Sequence, residues 1–205
     1  MEEIVFSDFQ KDALQEIGGI CAGNAASALS QLIKKEIHID IPEIAFLPLE
    51  EVPKVVGQDT LIVGLIVKIL GDFPSIILYI FSHSDAMSLA SLVTEKESSQ
   101  IGVITGEERS VLKEIGVVLA NSYLGVFSQF AKWNLVPRVP EIIEDMAEAI
   151  VDYILIELST ISRYALLIKS EFTESTKKIT GHFFLIPNPE GLKILLKAIE
   201  GFCNG

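Results

Sequence analysis

The chain is poor in cysteine, histidine and positive charge. Its two cysteines, Cys21 and Cys203, are too few for a disulfide framework and fit a reducing compartment. Its three histidines, His38, His83 and His182, lie far apart, with neither H-x-x-x-H nor C-x-x-C spacing, so the sequence offers no metal centre. Sixteen Lys and Arg stand against 28 Asp and Glu, a net charge of −12. Binding to a phosphate backbone draws its affinity from basic side chains that displace counterions, so nucleic acid is excluded as an unaided partner. An acidic membrane surface is disfavoured for the same reason. "VITGEERS" lacks the lysine of a phosphate-binding loop, and no serine sits in G-x-S-x-G. The first residues, "MEEIVFSDFQKD", carry no apolar leader segment, and a cytoplasmic location is expected.

One long apolar run is present, residues 61–81, "LIVGLIVKILGDFPSIILYIF". Lys68, Asp72 and Pro74 interrupt it, and Gly71-Asp72 divides it into two β-branched stretches of strand length. This predicts a buried hairpin rather than a membrane span. With 49% hydrophobic residues, the chain has enough apolar surface for a sizeable core.

A shift of 98 residues lays "DALQEIGG" (12–19) on "SVLKEIGV" (110–117). Leu14, Ile17, Cys21, Ala25, Ala28 and Leu32 step by three and four and form one helical stripe. Their shifted partners, Leu112, Ile115, Leu119, Tyr123, Val126 and Phe130, are all apolar. Pro42 falls on Pro140, and Ile44 on Ile142. The expectation is a single domain, 1–205, of two half-repeats at about 8–95 and 107–203. A polar linker, about 96–106, lies within "TEKESSQIGVITGEER". Each half reads as a long helix (about 8–34 and 107–132), an apolar proline-bounded segment, a hairpin and a closing helix. In the second half the strands are expected at about 160–171 and 179–187, with "NPEGLKILLKAIEGF" closing. The fold class is α+β, with pseudo-two-fold symmetry and a continuous, mainly antiparallel sheet packed with long helices.

Opposite the apolar stripe runs a second one. Asp12, Glu16 and Gly19 lie at i, i+4 and i+7 on one helix face, and Ser110, Glu114 and Val117 repeat the pattern. A lone Asp-x-x-x-Glu is ordinary solvated surface; a duplicated one is less easily dismissed. Gly18, Gly19 and Gly23 crowd a helix interior, where each costs roughly 1 kcal/mol relative to alanine. Close internal packing accounts for Gly18 and Gly23, whereas Gly19 shares the glutamate face.

These residues resemble the signature of the CheC/CheX group of chemotaxis proteins: Asp or Ser, three residues, Glu, two residues, Asn, twenty-two residues, Pro. Asp12, Glu16 and Pro42 fit it, as do Ser110, Glu114 and Pro140, and "CAGNAASAL" also reads like the family's text. The resemblance implies a monomeric phosphatase that acts on the aspartyl phosphate of a response regulator, CheY. The regulator would supply its own Mg²⁺, so no cofactor of the chain itself is implied. Each helix would present its Glu for docking and its Asn to orient the attacking water. Both Asn positions are changed here, to Gly19 and Val117. The implied function is docking with weakened or lost hydrolysis, so whether the chain is an enzyme stays open. Alternatives are an active phosphatase with a shifted or backbone-positioned water, or a flagellar-switch adaptor of the same fold. Asn24 lies roughly 140° around the helix from Gly19, whereas Asn121 shares the face of Val117 one turn on and is the candidate substitute. Glu141, Glu144, Asp145, Glu148 and Asp152 read as an acidic ridge at helical spacing, in the first instance a wet face. The resemblance adds that this segment, with Asp145, faces the receptor deamidase CheD.

Overall fold

The computed structural model describes residues 7–57, 60–95, 104–157, 164–174, 177–188, 191, 193–195, 197 and 198. The two long helices are α1 (Asp8–Ile33) and α4 (Gly106–Ala131). They start and stop for the same local reasons. Ser7 and Thr105 cap the first turns in capping boxes closed by Gln10 and Glu108, and Lys34 and Lys132 end the helices in the left-handed conformation. α1 is followed by strand β1 (Ile37–Pro48), a short 3₁₀ turn and helix α2 (Val52–Val56), the hairpin β2 (Leu61–Gly71) and β3 (Ser75–Ser82), and helix α3 (His83–Thr94). After α4 come β4 (Leu135–Pro137), β5 (Glu141–Met146), helix α5 (Ala147–Glu157), and the hairpin β6 (Tyr164–Glu174) and β7 (Lys177–Pro187). Residues 191, 193–195, 197 and 198 are helical; the remainder of the expected closing segment lies outside the described residues.

The strands form one antiparallel sheet in the order β1-β6-β7-β3-β2-β4, with β5 also on β2. The order reads alike from both ends. The two hairpins meet at β3 and β7 in the centre, and each half's first strand pairs with the other half's hairpin: β1 on β6, β5 on β2. The expected helix-strand-strand-helix unit is therefore incomplete. The proline-bounded segment is an edge strand followed by a helix, α2 or α5. The acidic ridge needs the same correction. Glu141, Glu144 and Asp145 lie on strand β5, and only Glu148 and Asp152 are helical. Six residues of strand pairing to β2 override the local helical spacing. In the second hairpin β6 runs three residues past its expected end and β7 ends at Pro187 as expected, while 160–163 of the expected strand and 96–103 of the expected linker fall outside the described residues.

The sheet separates two cores. Val63, Leu65, Val67, Ile69, Ile77, Tyr79 and Phe81 face α1, α3 and α4, while Ile62, Ile66, Ile76, Leu78 and Ile80 face α2 and α5. Burial on both faces is why 61–81 reads as one apolar run. The helical stripes lie as expected, with Ile17, Cys21, Ile115, Leu119 and Tyr123 all in the first core. Burial pushes the Cys21 thiol up to about 12, so it is an inert core residue. Trp133, just beyond α4, stacks on Phe73 at 4.8 Å. α4 alone among the described helices is long and apolar enough to cross a membrane, but half of its apolar window is buried inside the protein.

The glycines divide cleanly. A Cβ on Gly18 would lie 2.8 Å from the Ile44 Cδ1 of β1, whereas one on Gly19 or Gly23 would meet nothing within 4 Å. Internal packing thus explains Gly18 and not Gly23. Gly19→Ala and Gly23→Ala are expected to raise stability by up to about 1 kcal/mol each, and Gly18→Ala by less. Urea midpoints measure this; equal gains at all three positions would contradict the packing.

His182 on β7 is held below its ordinary 6.5, first by desolvation and then by Lys169, against weaker opposing pulls from Glu43 and Asp85. The unfolded chain therefore takes up this proton more readily. The stability that His182 contributes is full above about pH 6.5 and is lost as pH falls below that through the lowered folded value. His182→Gln should flatten the slope of stability against pH below about pH 6.5, measured by denaturant unfolding. An unchanged slope would rule His182 out as its source.

Candidate functional site on the outer faces of two helices

The site residues are placed by what lies beneath them. On α1, Leu14, Ile17 and Cys21 are locked into the core, so Asp12, Glu16 and Gly19 point to solvent, and all three are exposed. On α4, Leu112, Ile115 and Leu119 do the same for Ser110, Glu114 and Val117. Gly18 and Gly116, each two residues past a glutamate, let the helices sit close against what they cover. The Cβ missing from Gly18 would press on Ile44 and Ile41, and that missing from Gly116 on Leu65 and Pro140.

The motif prolines share a location as well. Pro42 lies in β1 where the register with β6 shifts, between Asp40 and Glu43. Pro140 lies between β4 and β5, buried beneath Gly116. Both interrupt an outer strand, where a residue without an N–H costs the sheet least. In the second half, Glu114 and Pro140, 26 residues apart in sequence, are thereby brought to opposite sides of one helix–strand contact at Gly116.

Electrostatically the faces are bare. Among the described residues, neither Glu16 nor Glu114 has an ion-pair partner. The Ser110 hydroxyl is spent on the Gly106 carbonyl at 2.9 Å. Gly19 has open space around it, and Val117 is 39% exposed with no polar atom. Asn121 is exposed, and among the described residues its carboxamide has no hydrogen-bond partner. Asn24 is also exposed. No three His, Cys, Asp or Glu come together as a metal site among the described residues. Such a surface can offer a visiting protein two carboxylates.

Two residues of the α1 face escape the sequence reading. Phe9 is 57% exposed and Ile20 is 47% exposed, flanking Glu16 by about two turns and one turn. Their signal was an apolar residue outside the buried stripe, easily absorbed into a helix that is apolar in many directions. At the equivalent places α4 has Glu107 and the half-buried Val118, so the two faces differ in apolar surface. Asp145 lies elsewhere, exposed on edge strand β5, its Oδ1 accepting the Met146 N–H at 2.7 Å. Its neighbour Glu144 is turned inward to His83, 3.2 Å away.

The model of the CheC-like family matches residues 9–44, which span α1 and the first part of β1. The CheY-P phosphatase CheC of Bacillus subtilis is 28% identical over 196 residues, 93% of each chain. In structure, Thermotoga maritima FliY superimposes with a TM-score of 0.77 at 16% identity, covering 97% of this chain and 99% of that one. The CheX–CheY–BeF₃–Mg²⁺ complex from Borrelia burgdorferi matches at 0.52 and 16% identity, over 83% and 96%. The structural matches carry the fold, and the sequence matches make the chain similar to CheC-like chemotaxis proteins.

Proposed function

We propose that the chain docks on a phosphorylated CheY-type response regulator through the outer faces of α1 and α4, and that its hydrolysis of the aspartyl phosphate is weak or lost. The observation that carries this reading is an unequal survival of parts. Glu16 and Glu114 stand exposed without ion-pair partners among the described residues, while the places for a water-orienting amide hold Gly19 and Val117. Either carboxylate is free to pair with a lysine of the regulator. The regulator's Mg²⁺ and lysine would neutralise the phosphoryl oxygens, so the chain needs no metal of its own. What it lacks is a group to hold water in line with the scissile bond. A misplaced group of this kind costs about 10²-fold in rate.

A second reading, residual hydrolysis from the α4 face, rests on Asn121. Helical side chains lean toward the N-terminus, so its unpartnered carboxamide covers the surface one turn back, over Val117. The first half has no counterpart, since Gly23 occupies the equivalent position. The adaptor reading draws on the likeness to FliY. A CheD-type deamidase as second partner rests on the exposed Asp145. We further propose that the halves arose by duplication and that the protein works as a cytoplasmic monomer.

The test follows loss of the phosphoryl group from an autophosphorylated regulator. The native chain should bind but not accelerate hydrolysis, and Gly19→Asn with Val117→Asn should raise the rate by up to about 10²-fold. A flat response in the double variant would contradict the proposal. If the native chain is active and Asn121→Ala abolishes that activity, the second reading holds instead.

For CheD, Asp145→Lys should weaken binding in a titration. Unchanged affinity would leave the β5 edge as solvated surface.

A further inference from the structure

On the opposite side of the sheet from the α1 and α4 faces, the break between β4 and β5 leaves a cleft of about 480 Å³, lined by Lys68, Leu70, Arg138, Val139 and Glu141. Lys68 and Leu70 continue the row of Ile62 and Ile66 on β2, which faces α2 and α5. Val136 pairs opposite Leu70, and the Arg138 N–H donates to the Lys68 carbonyl at 2.8 Å, so Arg138 stands beside Lys68. Two cations are thus brought together by cross-strand register, with a pair of aliphatic side chains next to them.

Three observations on this cleft point the same way. Leu70 is 43% exposed, Val136 50% and Val139 75%, a concentration of branched aliphatics that the fold leaves uncovered. Arg138 is exposed and has no carboxylate partner among the described residues, although the chain carries 28 acidic residues against 16 basic ones. Among the described residues Lys68 has only Glu141, at 3.8 Å, whose other oxygen accepts from the Tyr153 hydroxyl at 3.5 Å. Two cations and one carboxylate make a locally positive spot on a molecule of net charge −12.

We propose that this cleft binds an acidic, apolar peptide segment of a partner protein. A carboxylate of the segment would take the planar fork of Arg138, with Lys68 adding charge, while its apolar side chains cover Leu70, Val136 and Val139. Two cations do not make a track for a nucleic-acid backbone. A small free anion would leave the aliphatic surface wet. Because the cleft and the helix faces lie across the sheet from each other, this partner and a regulator can be held at the same time. The inference stands apart from the docking proposal above.

The probe is a fluorescein-labelled peptide alternating glutamate and leucine, compared by anisotropy with lysine–leucine and all-glutamate counterparts. The glutamate–leucine peptide should bind tightest, and more weakly as salt is raised. Lys68→Glu with Arg138→Glu should reduce its affinity roughly tenfold or more. Arg138→Gln is the milder variant and should give an intermediate loss. Both should keep the native circular dichroism, and both should leave regulator binding unchanged. Equal binding of the lysine–leucine peptide, equal binding of the all-glutamate peptide, or full binding by the double-charge variant would each overturn the proposal.

Discussion

The fold depends on an exchange of edge strands. β1 leaves the first half to pair with β6, and β5 leaves the second to pair with β2. Neither hairpin has its outer neighbour without the other half's chain. This reciprocity ties α1 and α4 to one sheet, because each helix lies against a strand that its own half has lent away. Gly18 against Ile44 and Gly116 against Pro140 are the contacts through which the strands set the helices. Every side chain of the candidate site takes its direction from that packing. Once Ile17 and Ile115 are buried, the glutamates beside them have only solvent to face.

Much of this was legible in the sequence, and for a simple reason. A helix stripe with a 3.6-residue period and a hairpin split by Gly-Asp are local signals, and the structure keeps them: α1, α4, β2 and β3 lie within a few residues of their expected places. The first strands were not legible. β5 reads as a helix by its charge spacing and becomes a strand only because β2 waits beside it, a long-range fact. The apolar, proline-bounded segment around Pro42 did not read as a strand because an edge strand broken by proline lacks clean alternation. At the site, the exposed positions of Glu16, Gly19, Glu114 and Val117 followed from periodicity, whereas Phe9 and Ile20 were missed because hydrophobicity alone does not say which apolar residues stay outside.

The sheet divides the molecule's surface by charge. One side carries helices whose outer faces offer carboxylates; the other carries two short helices and, past their end, a cleft with two cations and bare aliphatics. On the proposed reading, exposed carboxylates without neighbouring amides supply recognition without hydrolysis. The likeness to a CheY-P phosphatase in sequence and to FliY in fold does not by itself fix the work of this scaffold, which lives in its site residues.

The central claim is that a phosphorylated regulator meets the outer faces of α1 and α4. Amide chemical-shift mapping of the labelled chain, titrated with a regulator held in its phosphorylated form by beryllofluoride, addresses it directly. The account predicts shifts gathered around Glu16, Gly19, Glu114 and Val117, with the sheet edge and α5 silent. Shifts centred on β5 and α5, with both helix faces unmoved, would contradict it.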